Sequence, residues 1–264
     1  MLYTIKQAYP NASFINYDGT FNDGTEVKLN DERGRELDLD YDWHYGCKVW
    51  NAHPDLAIVA FKAEAEFDSE TSEYPMEEDL ELFIVSLKDK KIVAHFVEKE
   101  SVPNDADAAM RFESLKIDTA KYKLNKSTVA FGLRVITDLK TRSQRGRNEA
   151  ISLYVYENGT IKKLLDNFSV SGDSGELFDG FCTGNFGRHE DVIIVNEKQV
   201  SNGLYSLIVK SNYESFIVYN KKNNDCIERV LGKGVNIKSL IFNGTTYESF
   251  DGSEDDYISY GFLD

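Results

Sequence analysis

Asp38, Asp40 and Asp42 alternate along Glu36 to Trp43 with His44 next in phase, a regular row of acid–base and metal-ligating side chains. In an extended strand every second side chain points the same way, so such a row presents carboxylate oxygens suited to a hard cation. A cation site wraps around its ion, whereas a flat strand offers ligands in a line, so the expected role is a solvated face that protects a sheet edge. The other histidines, His53, His95 and His189, stand apart, and no pair has the spacing of metal ligands on a helix. Asn16 to Glu26 and Asp251 to Asp256 combine acids with glycine but lack the ligand spacing of a calcium-binding helix-loop-helix. No metal site is expected.

Gly172-Asp173-Ser174-Gly175 resembles the loop that presents the nucleophile of chymotrypsin-like serine proteases, where glycines bring a hydroxyl beside oxyanion donors. Glu176 stands where that pattern has another glycine, and no matching histidine segment precedes it, so a turn is expected. The chain has no phosphate-binding glycine loop, no Cys-x-x-Cys and no Gly-x-Ser-x-Gly elbow. The expectation is no catalytic residue, no cofactor and no enzyme. Of three cysteines, Cys182 and Cys226 could form a disulfide in an oxidising compartment; three free thiols are the alternative.

The elements that must position any site are strands. Val59-Ala60-Phe61 with Leu82 to Phe96 recurs as Val129-Ala130-Phe131 with Ile151 to Phe168, the first tripeptide shifted by 70 residues and Ile92 to Ile161 by 69. Asn158-Gly159, Asn202-Gly203 and Asn243-Gly244 mark hairpins because their residues tolerate positive φ, and Asp89-Lys90 holds the equivalent turn in the first copy. The fold class expected is all-β, with duplicated antiparallel β-meander units as a two-sheet sandwich or a partial propeller and few short helices. The polar stretch Ser101 to Ala109 suggests a boundary, giving residues 1–100 as one unit and 101–264 as the second unit plus C-terminal strands, or one continuous domain. Glu66 to Asp79 and Asp138 to Asn148 are expected to be exposed loops.

Lys and Arg number 30 against 45 Asp and Glu, a net charge of −15 that repels phosphate backbones and anionic lipids. Nucleic acid is therefore not an expected partner, and a basic protein surface is. No apolar run approaches the length of a membrane span, and no apolar segment near Met1 has the form of an export signal. The expected location is the periplasm if a signal was removed upstream, and otherwise the cytoplasm.

Cys47-Lys48-Val49-Trp50-Asn51-Ala52-His53-Pro54-Asp55-Leu56, Asp118 to Leu124, Ala130 to Arg134, and Ser174-Gly175-Glu176 followed by Cys182-Thr183-Gly184 carry a resemblance over about the central half of the chain. Together they resemble a set of uncharacterised exported proteins of Gram-negative bacteria. The resemblance implies a β-rich fold and a periplasmic setting, and implies no mechanism.

The leading expectation is a non-catalytic binding protein of the immunity type, which neutralises a bacterial toxin or secreted effector by covering its active site. Tyr and Trp anchors and a ring of acids suit such a contact, which singles out Trp43, Tyr45, Trp50, Tyr74, Glu77, Glu78 and Asp79. A hydrolase on a β-rich scaffold and a structural envelope module are the alternatives.

Overall fold

The computed structural model describes residues 1–16, 25–38, 44–64, 77–103, 110–141, 143–221 and 225–249. The fold is all-β, with three antiparallel sheets and a seven-residue helix, α1 (Leu2–Ala8), among the described residues. A three-stranded sheet comprises β1 (Ser13–Asn16), β2 (Thr25–Lys28) and β3 (Glu36–Asp38). A four-stranded sheet runs in chain order through β4 (Tyr45–Val49), β5 (Leu56–Ala63), β6 (Glu77–Ser86) and β7 (Lys91–Pro103). An eight-stranded sheet also follows chain order: β8 (Met110–Lys123), β9 (Val129–Lys140), β10 (Gln144–Glu157), β11 (Thr160–Leu177), β12 (Gly184–Ser201), β13 (Leu204–Lys221), β14 (Asp225–Phe242) and β15 (Tyr247–Ser249).

The duplication is a four-strand meander used twice. Val59-Ala60-Phe61 lies on β5 and Val129-Ala130-Phe131 on β9, the second strand of each run. Asn158 and Gly159 take φ of 51° and 81°, and Asn202 and Gly203 take 47° and 85°, which are the left-handed turns their sequence calls for. The second meander continues into β12 to β15 in one sheet, so its strands do not form a separate propeller blade.

Two compact units share these strands. The first comprises residues 1–121, 130–137 and 153–162, and the second residues 122–129, 138–152 and 163–264. Strands β8 to β11 each contribute a segment to both, and residues 104–109 of the expected boundary lie outside the described residues.

Within the first unit the central strands β5 and β6 are buried on both faces, which is why β5 reads as an apolar run from Leu56 to Phe61. Ile58, Ala60, Leu82 and Ile84 face Phe112, Leu115, Phe131, Leu133 and Tyr154 of the second meander, with Trp50 at 0% exposure among them. Val59, Phe61, Ala63, Phe83 and Val85 pack with Ile5, Val27, Leu29 and Leu37 on the other side. At about 25 cal/mol per Å² of apolar area, these two cores carry most of the unit's driving force.

Charge enters this packing in the first half of β6. Glu66 to Asp79 does not end as an exposed loop: residues 77–79 are strand, and Glu78 and Asp79 are 2% and 1% exposed. Arg35, at 6%, donates from Nη1 to Asp79 at 2.9 Å and Glu81 at 2.5 Å, and from Nε to Asp31 at 2.6 Å. Arg33 reaches Asp79 as well, Tyr9 donates to Glu81 at 2.7 Å, and His95 Nε2 meets the second Glu81 oxygen. Nearby, Lys62 Nζ pairs with Glu78 at 2.7 Å, both side chains almost wholly buried. The strand pattern puts these acids at inward positions, where only a partner offsets the loss of water.

Burial alone would raise the Glu81 carboxyl, but hydrogen bonds from His95 and Tyr9 and the charge of Arg35 hold it below the usual carboxylate range. Asp31 is also lowered: burial opposes this, and Arg35 and backbone hydrogen bonds outweigh it. A folded pKa below the unfolded one gives stability that is present above about pH 4.5 and is lost as pH falls through the folded value. The urea midpoint should therefore decline below about pH 4.5. Glu81→Gln should be less stable at pH 7 by roughly 3 kcal/mol, with a shallower acid decline, because Arg35 loses a buried partner. Denaturation curves from pH 3 to 7 measure both.

Candidate functional site

The second unit contains three neighbouring strands of 18 residues each, β12, β13 and β14. These strands run through polar residues as well as apolar ones, since only one face must be apolar. The expected loop Asp138 to Asn148 is likewise mostly strand, with the Thr141 N–H bonded to the Gln144 carbonyl at 2.9 Å.

Register fixes the face that looks outward. Val192, Lys210 and Ile237 form one cross-strand row, Ile194, Ile208 and Ser239 the next, and Glu190, Asn212 and Val235 the row on the other side. Leu207 and Val209, one residue out of phase, are buried at 0%. The outward residues are not: Val192 is 53% exposed, Ile194 46%, Val235 57% and Ile237 65%. A run of large aliphatic side chains on one open sheet face is a feature of recognition surfaces rather than of an average monomer surface.

The rows beyond are polar and then aromatic. Arg188 donates to Glu214 at 2.7 Å and to Glu228 at 3.1 Å, and Lys233 closes on the other Glu214 oxygen. Side-chain hydrogen bonds from Lys233 and Arg188 hold the Glu214 carboxyl below its ordinary range. Phe186 and Phe216 stack at 5.6 Å between centroids, with the Arg188 guanidinium 4.7 Å from the Phe216 ring. A Cβ on Gly175 would sit 2.2 Å from the Phe186 ring, so this glycine is what lets the ring lie over β11.

Two further features border the face. On its outer side β14 pairs with β15 only through Leu240 to Phe242, so among the described residues Asp225 to Ser239 present a free sheet edge. Leu231 is the extra residue of a bulge opposite Ser215 and Phe216, and it is 59% exposed. The β11–β12 connection carries Phe178 and Phe181, 61% and 56% exposed. Its loop is held by the Asp179 carboxylate, which accepts the N–H groups of Thr183, Cys182 and Phe181 at 2.8 to 2.9 Å and is held well below its usual range by them. Cys182 and Cys226 form a disulfide that ties this loop to the start of β14, and Cys47 is a free, exposed thiol.

The residues singled out from sequence fall elsewhere. Trp43 and Tyr74 lie outside the described residues, as does the side chain of Glu77. Tyr45 is half-buried and packs against the inner core. Trp50 is a core residue in edge contact with Phe131 at 5.0 Å, and Glu78 and Asp79 are buried in ion pairs, so none of these three forms an exposed contact. Their aromatic and acidic character reflects packing and internal pairing. His44 is buried against Phe112, and Asp40 and Asp42 lie outside the described residues. Ser174 stands opposite Gly187 within the β11–β12 ladder, in a strand and not the expected turn. The outward aliphatic residues were missed although the alternation of Val192 with Ile194 and of Val235 with Ile237 was visible, because sequence does not say which of two apolar faces is covered.

The disulfide closes a separation of 44 residues, which in the chain-entropy account corresponds to about 4 kcal/mol. Cys182→Ser with Cys226→Ser should lower unfolding free energy by that order, and reduction of the native chain should reproduce it. Chemical denaturation with and without reductant tests this.

No family model matches this chain, and no curated protein or solved structure does.

Proposed function

We propose that this protein binds a protein partner through the outward face of β12 to β14, and that the immunity-type role, covering a toxin or effector, is the form of binding it serves. The observation that carries the proposal is the exposed aliphatic patch of Val192, Ile194, Val235 and Ile237, beside a strand edge that is free among the described residues. Such an edge offers backbone donors and acceptors to an added strand, while the adjacent patch offers apolar area. The role rests on main-chain pairing and burial, not on a catalytic group.

A net charge of −15 favours encounter with a basic partner over long range. The face itself mixes Arg188, Lys210 and Lys233 with Glu190, Glu214 and Glu228, so its short-range selectivity comes from shape and apolar contact. The Cys182–Cys226 disulfide supports an oxidising, exported setting as part of the same reading.

Val235→Lys with Ile237→Lys alters only exposed side chains and should change stability by less than about 0.5 kcal/mol. The variant should weaken capture of a partner isolated with the native chain by at least about 100-fold, since central apolar anchors carry about 2 kcal/mol or more. Undiminished capture, or cross-links that map to another surface, would remove this face from the proposal.

A further inference from the structure

We propose that Ser169, His189 and Asp191 form a nucleophilic serine centre that hydrolyses small carboxylic esters, an activity separate from partner binding. The three side chains meet in sequence: Ser169 Oγ lies 3.2 Å from His189 Nε2, and His189 Nδ1 lies 3.1 Å from Asp191 Oδ1. Ser169 is on β11, and His189 and Asp191 are two residues apart on β12, so strand alternation sends the base and its orienting acid to one side. This is the geometry in which a hydroxyl, an imidazole and a carboxylate act together, and it is recognised by roles rather than by a sequence motif.

Burial is graded as the chemistry requires. The Asp191 carboxylate is 0% exposed, His189 is 8% exposed and Ser169 is half-buried. An acceptor-only carboxylate against Nδ1 favours the tautomer with the proton on that nitrogen, which leaves Nε2 facing the hydroxyl as a base. Gly172 stands opposite His189 in the ladder, and a Cβ there would come within 3.2 Å of Nε2. The glycine lets the Arg147 carbonyl approach, 2.8 Å from where that Cβ would sit, and also keeps a side chain off the reactive nitrogen.

Asn148 on β10 completes the group: its Oδ1 accepts the Ser169 hydroxyl at 2.5 Å. In this arrangement the proton points at Asn148, and rotation about the Cβ–Oγ bond turns it toward Nε2. Asn148 also carries an amide N–H pair, so its other end can donate to the oxygen that becomes negative as the ester carbon turns tetrahedral. His189 is only 8% exposed, so little of the base can be approached, which favours compact acyl groups over a folded protein substrate.

The reaction balances without a metal or redox partner. Ser169 Oγ bonds to the ester carbonyl carbon as its proton passes to Nε2; the bond to the leaving alcohol then breaks and that oxygen takes the proton from Nε2. Water next attacks the acyl-serine carbon, giving one proton to Nε2, and the acid leaves as Ser169 recovers its proton. Ester and water thus become acid and alcohol.

Diisopropyl fluorophosphate tests the centre directly on the full chain. Oγ would bond to phosphorus, the P–F bond would break with loss of fluoride, and the proton would pass to Nε2. Intact mass and peptide mapping should place one adduct on Ser169, absent in Ser169→Ala. His189→Gln and Asp191→Asn should slow labelling at least about 100-fold, the direction seen when a triad loses its base or orienting acid. The nearly isosteric Ser169→Ala leaves folding readable by circular dichroism. A folded native chain that takes no adduct, or an adduct that persists in Ser169→Ala, would overturn the proposal. Partner capture by Ser169→Ala should equal that of the native chain, so this result and the binding result fall independently.

Discussion

Burial of both faces of β5 and β6, the central pair of the four-stranded sheet, is the constraint on which the first unit depends. These central strands have no face to offer water, so they need a covering layer on each side: the second meander against Ile58, Ala60 and Leu82, and α1 with the short sheet against Val59, Phe61 and Phe83. The acids on β6 follow from that enclosure. Glu78, Asp79 and Glu81 lie at inward positions, and Lys62, Arg33 and Arg35 offset what water would have supplied. Arg35 links a segment ahead of β3 to β6, with Tyr9 from beyond α1 bonded to the same Glu81 oxygen. It thereby ties the covering layer to the sheet by charge as well as by apolar contact.

The second unit uses the same chain geometry to a different end. Its long strands need one covered face to fold, and Leu207, Val209 and Leu240 meet that need. The opposite face is then left open, and it carries aliphatic residues at positions where polar ones would be neutral for folding. The disulfide and the Asp179 turn hold the neighbouring aromatic loop in place, which reduces the ordering cost of a contact there. Along the edge of β14 that is free among the described residues, exposed Lys233 and the Leu231 bulge disfavour indiscriminate pairing.

The repeated Val-Ala-Phe segments and the Asn-Gly turns made the meanders legible, because period-two alternation and positive-φ turns are local properties. The proposed binding face and serine centre were far less so. Trp50 and the acids at 78 and 79 have the composition of an interface anchor and its rim, yet they are internal. Composition reports how hydrophobic or charged a residue is and not which neighbour meets that property. His189 was visible as an isolated histidine, while Ser169 and Asp191 gave no signal, since a hydroxyl 20 residues away on the adjacent strand has no fixed sequence spacing to its base.

The sequence by itself determined an all-β chain, its duplicated meander, its tight turns and its strong negative charge, because each follows from residue order over a few positions or from a sum over all of them. The tertiary structure decided which apolar face is covered, which acids are paired, that Cys182 meets Cys226, and that Ser169 meets His189. These depend on strand register and layer packing, where a shift of one residue exchanges inside for outside.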